Sequence, residues 1–255
     1  MKNNLKFSFF VLSIIAFTSC STIKVNYYGN KVNDVQSVTL VSTMIGKVQQ
    51  PIFPLIDAGI FNEKTNSIAD KIMDVEKKNI NNYQSIVAGS LKRNYNCPVI
   101  FGDSLQNLEG YSQLKSTFNK KRNLSIESNH FPFIITAEDD IYPFSFEKGN
   151  VLAYFKTPEN YKAITSEIAK TVGTDLFAVS YSTLAVGSIG YFGIYGSLYL
   201  ATYLYIFDKE GNLVADASSI SKPTSVSGKK IDEYLNQLDN ISIILDPMIQ
   251  KLLGK

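Results

Sequence analysis

Apolar residues recur every three or four positions over two long stretches and cluster in several short ones, and that contrast predicts the elements. Ile68, Ile72, Ile80, Tyr83, Val87 and Leu91 fall on one face of a helix over Asn66–Tyr95. Lys71, Glu76, Lys77 and Lys78 fall mostly on its other side. Ile231, Leu235, Leu238, Ile241, Leu245, Met248 and Leu252 predict a final helix over Ser227–Leu253. Asp246-Pro247 is expected to interrupt it and cap a second short helical piece. Thr157-Pro158-Glu159 starts another helix, with Thr157 as cap and Pro158 at the first position; it runs to Thr171, and Gly173 closes it. Strands are predicted within Gln36–Met44 and at Pro98–Phe101, Phe131–Ala137, Leu176–Ser182, Leu198–Phe207 and Leu213–Ala217. The turn Asp208–Asn212 joins the last two as a hairpin. Pro51 and Pro54 mark an irregular loop. Ser104–His130 reads as loop with some helix at Tyr111–Phe118, and 138–156 as irregular, with Asp139 and Asp140 solvated. The strand–helix–strand order from Val38 to Phe101 is the crossover unit of a parallel strand pair. The expected fold is α/β, a mixed sheet flanked by helices, forming a single domain over residues 36–255.

One stretch departs from this ordinary pattern. No charged side chain lies between Asp175 and Asp208. Gly187, Gly190, Gly193 and Gly196 recur every third residue within it, among Tyr181, Tyr191, Tyr195, Tyr199, Tyr203 and Tyr205. The glycines and tyrosines argue against a membrane helix. Over Leu198–Phe207 one face would carry Leu198, Leu200, Thr202, Leu204 and Ile206, and the other Tyr199, Ala201, Tyr203, Tyr205 and Phe207. Both faces are largely apolar, so a single solvated face is excluded. Two readings follow. One is a central strand covered on both sides and preceded by a glycine-rich loop. The other is a β-hairpin contributing to an outer-membrane pore or an oligomer seam. Gly187, Gly190, Tyr191, Gly193, Tyr195, Gly196, Tyr199 and Tyr203 are the candidate interaction or membrane residues.

The N-terminus has a different character. Lys2 and Lys6 precede a short apolar core, Phe9–Phe17, and then Thr18-Ser19-Cys20. The apolar run is too short to span a bilayer, so it reads as a targeting segment. It resembles the lipobox of bacterial lipoproteins, with Phe17 in place of the usual aliphatic residue. The resemblance implies a signal peptide at 1–19, lipidation (palmitate included) of Cys20, and a tether at 20–35. Removing Lys2 and Lys6 takes the formal charge from +2 to zero. Bulk charge then gives no argument for nucleic acid, and no polybasic segment helps hold the membrane. With Cys20 lipidated, Cys97 has no partner for an internal disulfide, and its place before Pro98–Phe101 suits a buried small hydrophobe.

The motifs of common enzymes are missing. Gly187-Ser188-Ile189-Gly190 lacks the residue that a nucleophile elbow places between glycine and serine. Lys47 and Lys229 follow glycines without the upstream glycine of a phosphate-binding loop. His130 is the single histidine, too few for a zinc or iron site of the usual kind. A dyad of Cys97 and His130 would need a tertiary coincidence. No metal or other cofactor is expected.

The run Tyr161–Asp175 is a helix ending in glycine, any residue, aspartate, followed by an apolar strand. After a variable insert comes a strand closing on Tyr205-Ile206-Phe207-Asp208, with Gly211 beyond. This pattern resembles the α/β envelope lipoproteins that include the curli secretion lipoprotein and the TolB amino-terminal domain. The resemblance implies a fold and a compartment, and no catalytic residues. The expected function is therefore non-enzymatic: assembly, scaffolding or accessory work in the cell envelope. The expected location is the outer membrane, lipid-anchored on its periplasmic face, since Ser21–Val25 carries no acidic residue. Expected partners are the membrane through the N-terminal lipid, and envelope proteins or further copies of this chain. The alternatives are a subunit of an export or pore complex using 183–206, and a hydrolase with an unrecognised site.

Overall fold

The computed structural model describes residues 22–29, 32–49, 60–123, 134–137, 140–141, 157–189, 195–221, 224–227 and 241–255. Cys20, His130, Asp139, Gly190, Tyr191, Gly193 and the segments 50–59 and 228–240 lie outside them. In chain order the elements are β1 (Thr22–Tyr27), β2 (Val38–Gln49), α1 (Ile60–Tyr95), β3 (Val99–Ile100), α2 (Asp103–Gln106), α3 (Tyr111–Asn123) and β4 (Ile134–Thr136). They continue with α4 (Pro158–Val172), β5 (Leu176–Ile189), β6 (Tyr195–Asp208), β7 (Leu213–Ile220), β8 (Thr224–Ser227) and α5 (Ser242–Leu252).

All strands join one mixed sheet in the order β1-β7-β6-β5-β2-β3, with β4 beside β2 and β8 beside β6. β2 runs parallel to β3 and β5, and the other pairs are antiparallel. The fold is thus α/β with helices on both faces, and Val38–Ile100 is the parallel crossover that the sequence predicts. On one face α1 and α5 bury Ile80, Tyr83, Val87, Leu91, Leu245 and Met248 against Leu40, Ala178, Leu204 and Ile206. On the other, α2, α3 and α4 bury Leu105, Tyr111, Phe118, Tyr161 and Ile168 against Val179, Tyr205 and Phe207. The ring of Phe207 stacks on Phe177 at 4.9 Å between centroids and takes the edge of Tyr161 at 5.8 Å. The two faces assigned to Leu200–Phe207 from alternation are the two faces observed.

The helix–strand–hairpin pattern of residues 161–213 has a local cause. Gly173 takes φ +62°, the left-handed conformation that ends a helix and that glycine adopts without penalty. Asp175 then accepts hydrogen bonds from the backbone N–H of Gln36 and Ser37, at 2.6 and 3.3 Å, tying the start of β5 to the approach to β2. Asp208 closes the β6–β7 turn by accepting from the N–H of Glu210 and Asn212. α4 rests on that turn: Thr165 Oγ1 donates to the Gly211 carbonyl and Lys162 Nζ to that of Glu210. A Cβ at Gly211 would meet the backbone of Thr165 and Ser166 at 2.5 Å, so only glycine fits.

Four expectations need correction. Residues 22–27 are not a free tether; they form β1, the edge strand beside β7, with Ile23 and Val25 packed towards the core. Residues 183–189 and 195–197 are strand and not loop, because β5 continues to Ile189 and β6 begins at Tyr195, with Gly187 and Gly196 inside the strands; residues 190–194 lie outside the described residues. Valine, isoleucine, leucine and tyrosine around those glycines suit extended pairing; Gly196 is paired with Ile189 and Val226, while Gly187 falls in the register shift between Val186 and Ile189, a bulge position that suits glycine. Ser227 belongs to β8 and does not start the last helix; of the expected span 227–253, Ser242–Leu252 is helix and residues 228–240 lie outside the described residues. That helix also runs through Pro247 unbroken, because the carbonyl that proline leaves unbonded belongs to Ile243, which is 67% exposed. Asp246 caps nothing there and instead pairs with Arg93 at 3.0 Å.

The fourth correction is Asp140, which is buried and not solvated. The pairing of β2 with β5 slips between Leu40 and Ser42, a bulge that leaves backbone groups of β2 without strand partners. The segment 140–141 supplies them. Ile141 N–H donates to the Val41 carbonyl at 3.0 Å, and Thr43 N–H donates to Asp140 Oδ2 at 2.5 Å. Gln84 Nε2, from α1, donates to Asp140 Oδ1 at 2.6 Å. One carboxylate thus joins helix, bulge and the β4 segment.

Three outcomes test this fold. Leu204→Asp would bury an unpaired carboxylate in a core position, which costs several kcal/mol and a large share of a domain's stability; thermal melts should show no cooperative transition. Asp140→Ala should cost about 2–4 kcal/mol in urea unfolding by stranding two buried donors, while Asp140→Asn, which keeps an acceptor for Thr43, should cost less. Tyr28 donates to Asp216 Oδ2 at 2.5 Å. Burial and then that carboxylate push its pKa up from 10 to about 12. Because the folded value lies above the unfolded one, its contribution is whole below pH 10 and lost as pH rises through about 12. The stability gap between wild type and Tyr28→Phe should vanish over that window.

Candidate functional site at the ribbon end of the sheet

The register defines one level across the sheet: Thr22 opposite Ile220, Ile220 opposite Ala201, Ala201 opposite Thr183, and Thr183 opposite Gly46. On one side of this level lie the packed body and the charged turn at Asp208–Asn212. On the other side β5 and β6 continue as an antiparallel pair out to Ile189 and Gly196. β2 accompanies β5 as far as Gln49 opposite Ala185. β8 accompanies β6, with Ser227 opposite Tyr195 and Thr224 opposite Leu198. The result is a ribbon built on β5, β6 and β8.

The structure brings Gly187, Tyr195, Gly196 and Tyr199 together in this ribbon. Tyr203 sits further down β6, half-buried, its ring stacked on Tyr181 at 6.0 Å. Burial pushes the Tyr203 and Tyr205 hydroxyls above their ordinary pKa, so both stay neutral at physiological pH. Sequence reasoning missed β1 and β8. For β1 the signal was present: Ile23, Val25 and Tyr27 alternate with Thr22, Lys24 and Asn26, the period of a half-buried strand. For β8 it was weak, since Thr224–Ser227 is too short to show a period.

Just below the level, Ser182, Thr202 and Ser219 stand opposite one another on β5, β6 and β7. Ser182 Oγ donates to Thr202 Oγ1 at 3.0 Å and is hydrogen-bonded to the hydroxyl of Tyr83 on α1. A serine becomes a nucleophile when a base takes its proton, and both partners of Ser182 are neutral hydroxyls. Ser182, Thr202 and Tyr83 thereby satisfy one another, whereas the hydroxyl of Ser219, buried in the same row, has no hydrogen-bond partner among the described residues. Asp140 is likewise engaged by backbone and amide donors, as a clamp. Cys97 is buried in the core, and burial pushes its thiol pKa up, away from the reactive thiolate. Among the described residues no group of His, Cys, Asp and Glu side chains could hold a metal ion, and no helix is long and apolar enough to cross a membrane.

No protein-family model matches this sequence, and no curated protein does. Among solved structures the chain is similar to a PelC dodecamer from Paraburkholderia phytofirmans in two crystal forms. Both are 14% identical, with TM-scores of 0.32 and 0.30, over 92% of this chain and 96% and 95% of that one. The Evf virulence factor is 10% identical, with a TM-score of 0.22, over 96% of this chain and 89% of that one. These likenesses are of coarse shape and carry no argument about function.

Proposed function

We propose that this chain is a bacterial envelope lipoprotein, held on a membrane through lipid on Cys20, that works without catalysis as an assembly, scaffolding or accessory factor. The observation that carries this reading is the N-terminal sequence: a basic start, a short apolar core and Thr18-Ser19-Cys20. The buried carboxylate of Asp140 and the hydroxyls of Ser182 and Thr202 are spent on internal hydrogen bonds. The location we favour is the periplasmic face of the outer membrane, from the lack of acidic residues in Ser21–Val25. Partners on this reading are envelope proteins or further copies of the chain.

The export-pore reading finds less support. A spanning strand needs about 9–11 residues. Beyond Thr183 and Ala201 the ribbon strands end at Ile189 and Tyr195, short of that length.

Cys20→Ala should abolish incorporation of labelled palmitate and leave an uncleaved precursor; normal labelling of that variant would refute the anchor. Protease added to intact cells should leave the wild-type protein whole, and its digestion would move it to the cell surface.

A further inference from the structure

The uncharged stretch and the lipid site are far apart in sequence, and the sheet brings them to the same end. Thr22 stands at the level of Ala201 and Thr183, where the ribbon begins. β1 is antiparallel to β7, and β7 to β6, so β1 is parallel to β6. Towards its N-terminus β1 therefore points the way the ribbon points. Only Ser21 separates Thr22 from Cys20, so the two Cα atoms lie within about 7 Å of each other. The ribbon extends past the same level from Ala201 to Tyr195, about 20 Å at the rise of a strand. It therefore overreaches Cys20 by at least about 13 Å, of the order of the half-thickness of about 15 Å that one leaflet contributes to a bilayer's hydrocarbon core.

We infer that the β5–β6–β8 ribbon enters the leaflet that holds the Cys20 lipid and sits at the boundary of headgroups and acyl chains. The inference rests on the lipid-anchor reading above and deepens it by naming a second membrane contact. Three features fit that occupant. The strands of the ribbon, 184–189, 195–200 and 224–227, carry no charged residue, and the β2 stretch beside them adds the single cation Lys47, whereas the opposite end of the sheet has Asp175, Asp208, Lys209 and Glu210. Tyrosine, frequent in this stretch, is the side chain enriched at membrane–water boundaries. The backbone of β6 is paired on both sides, by β5 and β8, as a low-water environment demands.

The same backbone accounting limits the depth. β2 pairs with β5 only as far as Ala185, and an open strand edge is not tolerated across the hydrocarbon core. The ribbon thus lies in one leaflet and does not span. Lipid and ribbon together would fix which way the domain faces.

The chain has no tryptophan, so one introduced residue is a unique reporter. The full lipidated protein would be reconstituted into phosphatidylethanolamine–phosphatidylglycerol vesicles as Tyr195→Trp, Ile189→Trp and, at the opposite turn, Lys209→Trp. Emission at 195 and 189 should shift to the blue and be lost when the lipids carry bromine on their acyl chains; Lys209→Trp should show neither change. No quenching at 195 and 189 would overturn the proposal. So would a blue shift unquenched by brominated lipid, which would place the ribbon against a second copy of the chain. Palmitate labelling of the same samples reads the anchor separately. Label without quenching refutes the ribbon alone, and quenching without label refutes the anchor alone.

Discussion

The structure depends on burying β5 and β6 from both sides. Leu204 and Ile206 face α1 and α5, while Tyr205 and Phe207 face α4 and its neighbours, and none of them retains more than 6% of its exposure. Each such side chain contributes roughly 1.5–3 kcal/mol when taken from water. A strand pair of this kind accepts no charge on either face, which accounts for the lack of charge in 200–207. The sequence stays uncharged past that, through 184–189 and 195–199, where β5 and β6 run on beyond the level of Thr183 and Ala201. That remainder, set beside Cys20, is what points to a lipid contact.

Polar side chains hold the irregular parts of the sheet in register. The bulge in β2 would leave a carbonyl and an N–H unpaired in the core, and the segment at 140–141 takes both up. Asp175 and Asp208 do comparable work at the charged end. Each carboxylate accepts from backbone N–H groups where one element passes into another. A charged acceptor on N–H donors is stronger than a neutral one, and it fixes geometry as well as energy.

Much of this was legible in the sequence, for reasons that can be stated. Helical spacing found the buried face Ile80–Leu91, and alternation found both faces of β6, because periodicity reports burial directly. Thr157-Pro158 and Gly173 marked the ends of α4 to within a residue. What stayed hidden depended on distant partners. Residues 22–27 looked like a polar tether because half of an edge strand's side chains face water. Gly187 and Gly196 looked like loop because glycine signals turns, yet Gly196 is paired by Ile189 and Gly187 sits at a register shift within β5. Asp140 looked solvated beside Glu138 and Asp139, since nothing nearby announces a bulge in a strand almost a hundred residues earlier; its bond to Thr43 spans 97 positions.

The two ends of the chain are stitched together. Lys251 donates to the carbonyl of Ile23 across 228 positions, and the Tyr27 hydroxyl donates to the carbonyl of Leu252, at the foot of α5. β1 also needs β7 for its ladder. β1 therefore has no completed berth until α5, more than two hundred residues later, has followed it. Contacts this distant in sequence form late and slowly. Meanwhile the outer edge of β7 stays open to other chains, a known route to aggregation. Until α5 is in place the sheet is unfinished at its β1 edge, and the final turn of α5 closes it.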